Sequence, residues 1–169
     1  QFQLQCRRST IAGLTEPALV ALYLAAAACM AVGLFFVFLE IGRKLRFLYV
    51  LKRPQSSWMT RETYFVAIFY PVLLADMLWP QGSLHLLVAV AAAGFLWSQA
   101  MILYAGKGIP AWRVPLIPWM LVATGLFEGA GLLAITAASL ADQSGSWSHV
   151  ATAGLALALV NAGLWHTYR

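Results

Sequence analysis

The feature that most constrains the fold is a series of five apolar runs, each close to the length that crosses a bilayer. They cover approximately residues 17–39, 63–79, 84–105, 114–138 and 149–166. A spanning helix needs about 20 mostly apolar residues, and lipid offers no partner to an unpaired backbone polar group. The sequence therefore predicts an all-α integral membrane protein, a single bundle of about five transmembrane helices without a separate soluble domain.

The composition agrees with partial burial in lipid. The chain has 169 residues, of which 62% are hydrophobic and 10% charged, whereas soluble domains average about 25% charged residues. The net charge of +5 is concentrated at the ends of the apolar runs. Positive charge in that position favours anionic lipid or an acidic protein surface as the partner rather than nucleic acid.

The basic residues also predict an orientation. Six of the eleven Lys and Arg residues lie between the first and second runs, and Lys107 and Arg113 lie between the third and fourth. The other two connections contain none. Because Lys and Arg are enriched in cytoplasmic loops, we expect the basic connections to face the cytoplasm of a bacterial or archaeal inner membrane, with the N-terminus outside.

Two carboxylates flank the long basic connection. Glu40 ends the first run, and Glu62 begins the second after Thr60, a candidate N-cap. Together with the guanidiniums and Trp58 nearby, these carboxylates could bind a quinone head group and exchange protons with it. The alternatives are an interfacial ion pair for Glu40 and a favourable helix-dipole position for Glu62. The candidate group as a whole is Glu40, Arg43, Arg46, Trp58, Arg61 and Glu62.

Glu128 lies near the middle of the fourth run. An ionisable side chain inside a membrane is a functional hypothesis by default, because the bilayer centre penalises charge. Gly125 and Gly129 flank it in a G-x-x-x-G pattern that permits close helix approach. Two interpretations stay open: an acid of a proton relay or quinone pocket, and a protonated Glu hydrogen-bonded to a neighbouring helix.

Other polar residues in the runs have structural interpretations. Asp76, Gln99 and Asn161 are expected to form hydrogen bonds between helices. His85 and His149 begin runs on the same predicted side and are the candidate ligands for a transmembrane haem b. Interfacial histidines are the better interpretation, since no second pair of histidines exists. No covalently attached cofactor or metal cluster is expected.

Two stretches resemble a known family. "LEIGRKLRFLYVLKRPQSSWMTRE" is similar to the signature of the NrfD-like and DMSO-reductase-anchor membrane subunits. "QAMILYAGKGIPAWRVPLIPWMLVATGLFEGAGLL" resembles the branch of that family that anchors sulfite- or phenylacetyl-CoA-oxidising complexes. Family members usually have about eight spans, so the resemblance implies either part of a longer protein or a shorter variant.

The resemblance implies a helical anchor without a bound cofactor of its own. It would dock an iron–sulfur ferredoxin-like subunit, which links a molybdopterin catalytic subunit to the quinone pool. Glu40 occupies the position where some members have His beside the quinone, and Arg43 or Arg46 matches the following basic position. Glu62 matches the acid of the family's S-R-E motif.

The sequence leaves other functions open. One is a quinone-reactive anchor that holds haem b. Another is a non-redox accessory or transport subunit of a larger membrane complex, with Glu128 as a proton or packing site. As an anchor of an oxidoreductase complex, the chain alone is expected to be inert.

Overall fold

The structure is a computed structural model that describes residues 16–40, 55, 57–140 and 148–168. These residues form five α-helices, one short 3₁₀ helix and no strand. The elements are α1 (Glu16–Glu40), α2 (Trp58–Leu78), α3 (Gly82–Ala105), the 3₁₀ helix (Pro110–Arg113), α4 (Ile117–Leu140) and α5 (Ser148–Tyr168). The predicted all-α membrane bundle is confirmed.

Three of the helices are long and apolar enough to cross a membrane. The qualifying segments are Val20–Leu39, Gly82–Ala105 and Ile117–Thr136, in α1, α3 and α4. Over their described residues α2 and α5 do not reach the same standard, and α2 carries both Glu62 and Asp76. The chain is therefore a membrane protein, while the spans predicted for α2 and α5 stay predictions.

The start of α2 differs from the prediction. The helix begins at Trp58 rather than near residue 63, after Ser57, whose backbone is extended. The Ser57 carbonyl accepts a hydrogen bond from the Arg61 amide at 3.3 Å. Thr60 is thus inside the helix and is not its N-cap, and Glu62 lies beyond the first turn. The sequence placed this boundary late because Arg61 and Glu62 interrupt the apolar pattern.

Successive helices run antiparallel. Contacts between α2 and α3 pair Glu62 with Gln99 near one end and Asp76 with His85 near the other. The α1–α2 pair follows the same rule, since Tyr70 bonds to Ala27 while Tyr23, earlier in α1, interacts with Asp76, later in α2. In the α4–α5 pair, Thr124 bonds to Asn161, and the end of α5 at Tyr168 reaches Ala111, just before α4. One end of the bundle therefore carries Arg61, Lys107 and Arg113, and we call it the basic end.

The most extensive packing is between α2 and α3, which are joined by the short segment 79–81. Phe69 and Leu73 of α2 are buried against Ala91 of α3, and side chains of α1 such as Met30 cover part of this cluster. Gly94 allows α3 to approach the Phe65 side chain of α2 closely, because a Cβ atom there would overlap the Phe65 ring. The α2–α3 hairpin is the centre of the described bundle.

Replacing Gly94 should test this close approach. We expect Gly94→Ala to lower stability by about 1–3 kcal/mol, because overpacking forces neighbouring groups to move. The matched control is Gly154→Ala in α5, where a Cβ atom would meet nothing within 4 Å and Ala favours the helix. Thermal unfolding of the two variants in detergent micelles measures the difference. Equal midpoints would show that α2 and α3 do not touch at Gly94.

Candidate functional site

The first turns of α2 bring a cation and an indole together at the basic end. The Arg61 guanidinium lies over the Trp58 ring, 4.2 Å from its centroid. Its Nη2 donates to the Gln55 carbonyl at 3.0 Å. These contacts hold the guanidinium back toward the start of the helix. Trp58 and Arg61, which the sequence grouped on motif alone, are therefore in direct contact.

Glu62 is directed into the bundle rather than toward the basic connection. Its side chain is buried, with 7% of its surface exposed. Gln99 Nε2 of α3 donates to Glu62 Oε1 at 2.6 Å. Burial raises the pKa of the Glu62 carboxyl above its ordinary value, because the charged form is disfavoured away from water. This residue immediately precedes the predicted span at 63–79, so we expect its carboxyl near the membrane boundary.

Each residue of the Glu62–Gln99 pair has a buried small polar residue close to it in the sequence. Thr60 of α2 and Ser98 of α3 are both fully buried. The Ser98 hydroxyl donates to the Gly94 carbonyl of its own helix at 2.8 Å. Sequence reasoning did not single out Ser98 for this site. The available signal was its position next to Gln99, a predicted interhelical partner.

The other residues of the predicted site are placed only in part. Glu40 is the last residue of α1 and lies at the basic end, where α2 begins. Its side chain, together with Arg43 and Arg46, lies outside the described residues. The pairing of Glu40 with these cations and its position beside a quinone therefore stay predictions.

Glu128 does not join this group in the structure. It lies on an exposed face of α4, within the apolar segment Ile117–Thr136. Among the described residues none forms a hydrogen bond or an ion pair with its carboxyl. Of its flanking glycines, Gly125 approaches Leu96 of α3, where a Cβ atom would lie 2.9 Å from Leu96 Cδ1, while Gly129 faces open space.

The candidate haem ligands are at the opposite end of the α2–α3 hairpin. His85 Nδ1 lies 2.7 Å from Asp76 Oδ2, and Asp76 is 2% exposed. Asp76 is thus an interhelical partner, as predicted, and its carboxylate fixes the His85 ring. His149 is the second residue of α5, and its side chain is outside the described part of the chain. Haem ligation by this pair stays a hypothesis.

A small cavity opens at the basic end, between α3, the 3₁₀ helix, α4 and α5. Its volume is about 120 Å³. It is lined by Leu103, Trp112, Ile117, Met120, Leu121, Thr124 and Trp165. Leu103 follows Gln99 by one helical turn, so the cavity and the Glu62–Gln99 pair lie on neighbouring parts of α3.

Comparisons with known proteins found no family model, no curated protein and no solved structure that matches this chain. The site must therefore be interpreted from its own residues.

A double-mutant cycle should show whether Glu62 and Gln99 are coupled. Gln99→Leu leaves a buried carboxyl without its amide partner and is expected to cost about 1–3 kcal/mol. Glu62→Leu leaves the amide unpaired in the same way. The double variant removes both polar groups and should be less destabilised than the sum of the two. Thermal unfolding in detergent measures the three variants, and additive losses would contradict a direct bond.

Proposed function

We propose that this chain is the membrane anchor of a respiratory molybdopterin and iron–sulfur oxidoreductase complex. It exchanges electrons and protons with the quinone pool near the basic end. The observation that carries the proposal is the buried Glu62 carboxyl, bonded to Gln99 at 2.6 Å beside the Trp58–Arg61 contact. The resemblance of residues 39–62 to NrfD-like anchor subunits supports the same assignment.

The chemistry of a quinone requires a group like Glu62. Reduction of a quinone to its quinol takes up two electrons and two protons, and oxidation releases them. A buried acid whose neutral form is favoured can give or accept a proton at the quinone oxygen. Glu62 is proposed to handle one proton, and Glu40 the other. Gln99 holds the Glu62 carboxyl in place and offers a second hydrogen-bonding group.

The proposed partners follow from the family that this chain resembles. Its members hold no electron-carrying cofactor of their own, so another subunit must carry the electrons. Electrons would pass through an iron–sulfur subunit docked at the basic end to a molybdopterin catalytic subunit. Arg61, Lys107 and Arg113 give this end a positive surface that suits an acidic partner. By the positive-inside rule this face is cytoplasmic.

Exposure of Glu128 supports a second candidate, an accessory or transport subunit. A carboxyl on an exposed face of a spanning helix is costly unless another helix or a proton satisfies it. In that case Glu128 would carry the proton, and the Glu62–Gln99 pair would be structural.

Carboxyl-to-amide variants separate these candidates. We expect Glu62→Gln and Glu40→Gln each to slow quinone turnover by about 10²-fold or more, the range typical of a lost acid–base group. The assembled complex should still purify with its iron–sulfur subunit. Quinone reduction and oxidation by the purified complex measure the effect. Unchanged quinone kinetics in both variants would refute the assignment.

Thr63→Val is the matched control for this experiment. The Thr63 hydroxyl donates to the Met59 carbonyl of its own helix at 2.9 Å, one residue from Glu62. Its loss should leave quinone turnover unchanged. If Glu128→Gln instead abolishes proton movement while Glu62→Gln has no effect, the transport candidate replaces the anchor.

A further inference from the structure

The cavity at the basic end is suited to hydrocarbon. Its lining is almost entirely aliphatic and aromatic, including the indoles of Trp112 and Trp165. Thr124 also lines it, but its hydroxyl donates to Asn161 Oδ1 at 3.2 Å and is already engaged. With a volume of about 120 Å³, the cavity accommodates part of one hydrocarbon chain rather than a whole lipid.

The segment beside the cavity carries two cations that form no ion pair with any residue that the structure describes. Trp112 belongs to the 3₁₀ helix, and Arg113 is the next residue. Lys107 lies in the same connection, next to Gly106, where a Cβ atom would lie 3.4 Å from the Trp112 ring. Both cations are exposed. Residues 77–127 contain no Asp or Glu, and Glu62 at this end is bonded to Gln99.

We infer that this cavity is a binding site for an anionic phospholipid. One acyl chain lies in the slot between α3, α4 and α5, and the phosphate lies near Lys107 and Arg113. Basic pockets between spanning helices are suited to anionic head groups. A neutral quinone ring would gain no ionic contact from these two cations. The inference goes beyond the proposed function and does not require it, since the cavity lining takes no part in the proposed quinone site. Lys107 and Arg113, which also belong to the proposed docking surface, could hold a phosphate without a docked partner.

Lipid retention by the full chain tests the site. The protein is purified in detergent, incubated with phosphatidylglycerol or phosphatidylcholine, washed, and its bound lipid is counted by native mass spectrometry. The wild type should retain phosphatidylglycerol at least several-fold more than phosphatidylcholine. Lys107→Gln/Arg113→Gln should remove that preference. Leu121→Trp, which fills the cavity, should reduce retention of both lipids.

Two matched controls make the result specific to this site. Leu126→Trp adds the same bulk on an exposed face of α4, away from the cavity lining, and should retain lipid like the wild type. Arg61→Gln removes a cation from the same end, one held on Trp58, and should keep the phosphatidylglycerol preference. These outcomes would support a site built from the cavity and its two cations together.

Four results would overturn the inference. The first is equal retention of the two lipids by the wild type. The second is a phosphatidylglycerol preference that survives Lys107→Gln/Arg113→Gln. The third is an equal loss of lipid in Leu121→Trp and Leu126→Trp. The fourth is release of bound lipid, mole for mole, by a short-chain quinone, which would assign the cavity to the quinone instead. None of these depends on turnover by the complex, so failure here is distinguishable from failure of the proposed function.

Discussion

Pairing of polar side chains between neighbouring helices is the constraint on which this bundle depends. A polar group that leaves water must find its hydrogen bonds within the protein. Both buried acids of α2 do so on α3, Glu62 with Gln99 and Asp76 with His85. Because these pairs lie near opposite ends of the hairpin, they fix both the register and the rotation of the two helices. This register places Phe69 and Leu73 of α2 against Ala91 of α3, between the two polar pairs.

The same pairing gives the two ends of the hairpin different chemistry. Near the basic end, a neutral amide holds a carboxyl whose protonated form is favoured by burial. At the other end, the Asp76 carboxyl is paired with the His85 ring. A carboxyl bonded to an amide is free to change its protonation state without losing its partner. This difference makes the basic end the better candidate for proton exchange with a bound molecule.

Much of the fold could be predicted because it follows from the solvent. Length and apolarity alone identify α1, α3 and α4. Because successive helices run in opposite directions, the two basic connections lie at one end. Asp76, Gln99 and Asn161 were predicted to bond between helices, and each does. Their partners could not be named, because the partner depends on how each helix is rotated about its axis. Hydropathy fixes depth in the membrane and carries little information on rotation.

Glu128 also shows that the sequence does not reveal how a helix is rotated about its axis. The rule that an acid in a spanning helix is functional singles out Glu128, whereas Glu62 is a candidate because it flanks the basic connection. The structure separates them, since Glu62 is buried with a bonded partner and Glu128 is exposed. The G-x-x-x-G pattern formed by Gly125 and Gly129 predicts close helix approach. Only Gly125 packs closely, against Leu96 of α3.

The short link between α2 and α3 has a consequence for biosynthesis. Alone, α2 would expose Asp76 to lipid, and an acid within a span opposes its transfer from the translocon. Asp76 gains its partner only when α3, an apolar segment that carries His85, lies beside it. We therefore expect α2 and α3 to enter the bilayer as one helical hairpin. In a glycosylation-mapping assay, α2 should integrate efficiently with α3 attached and poorly without it.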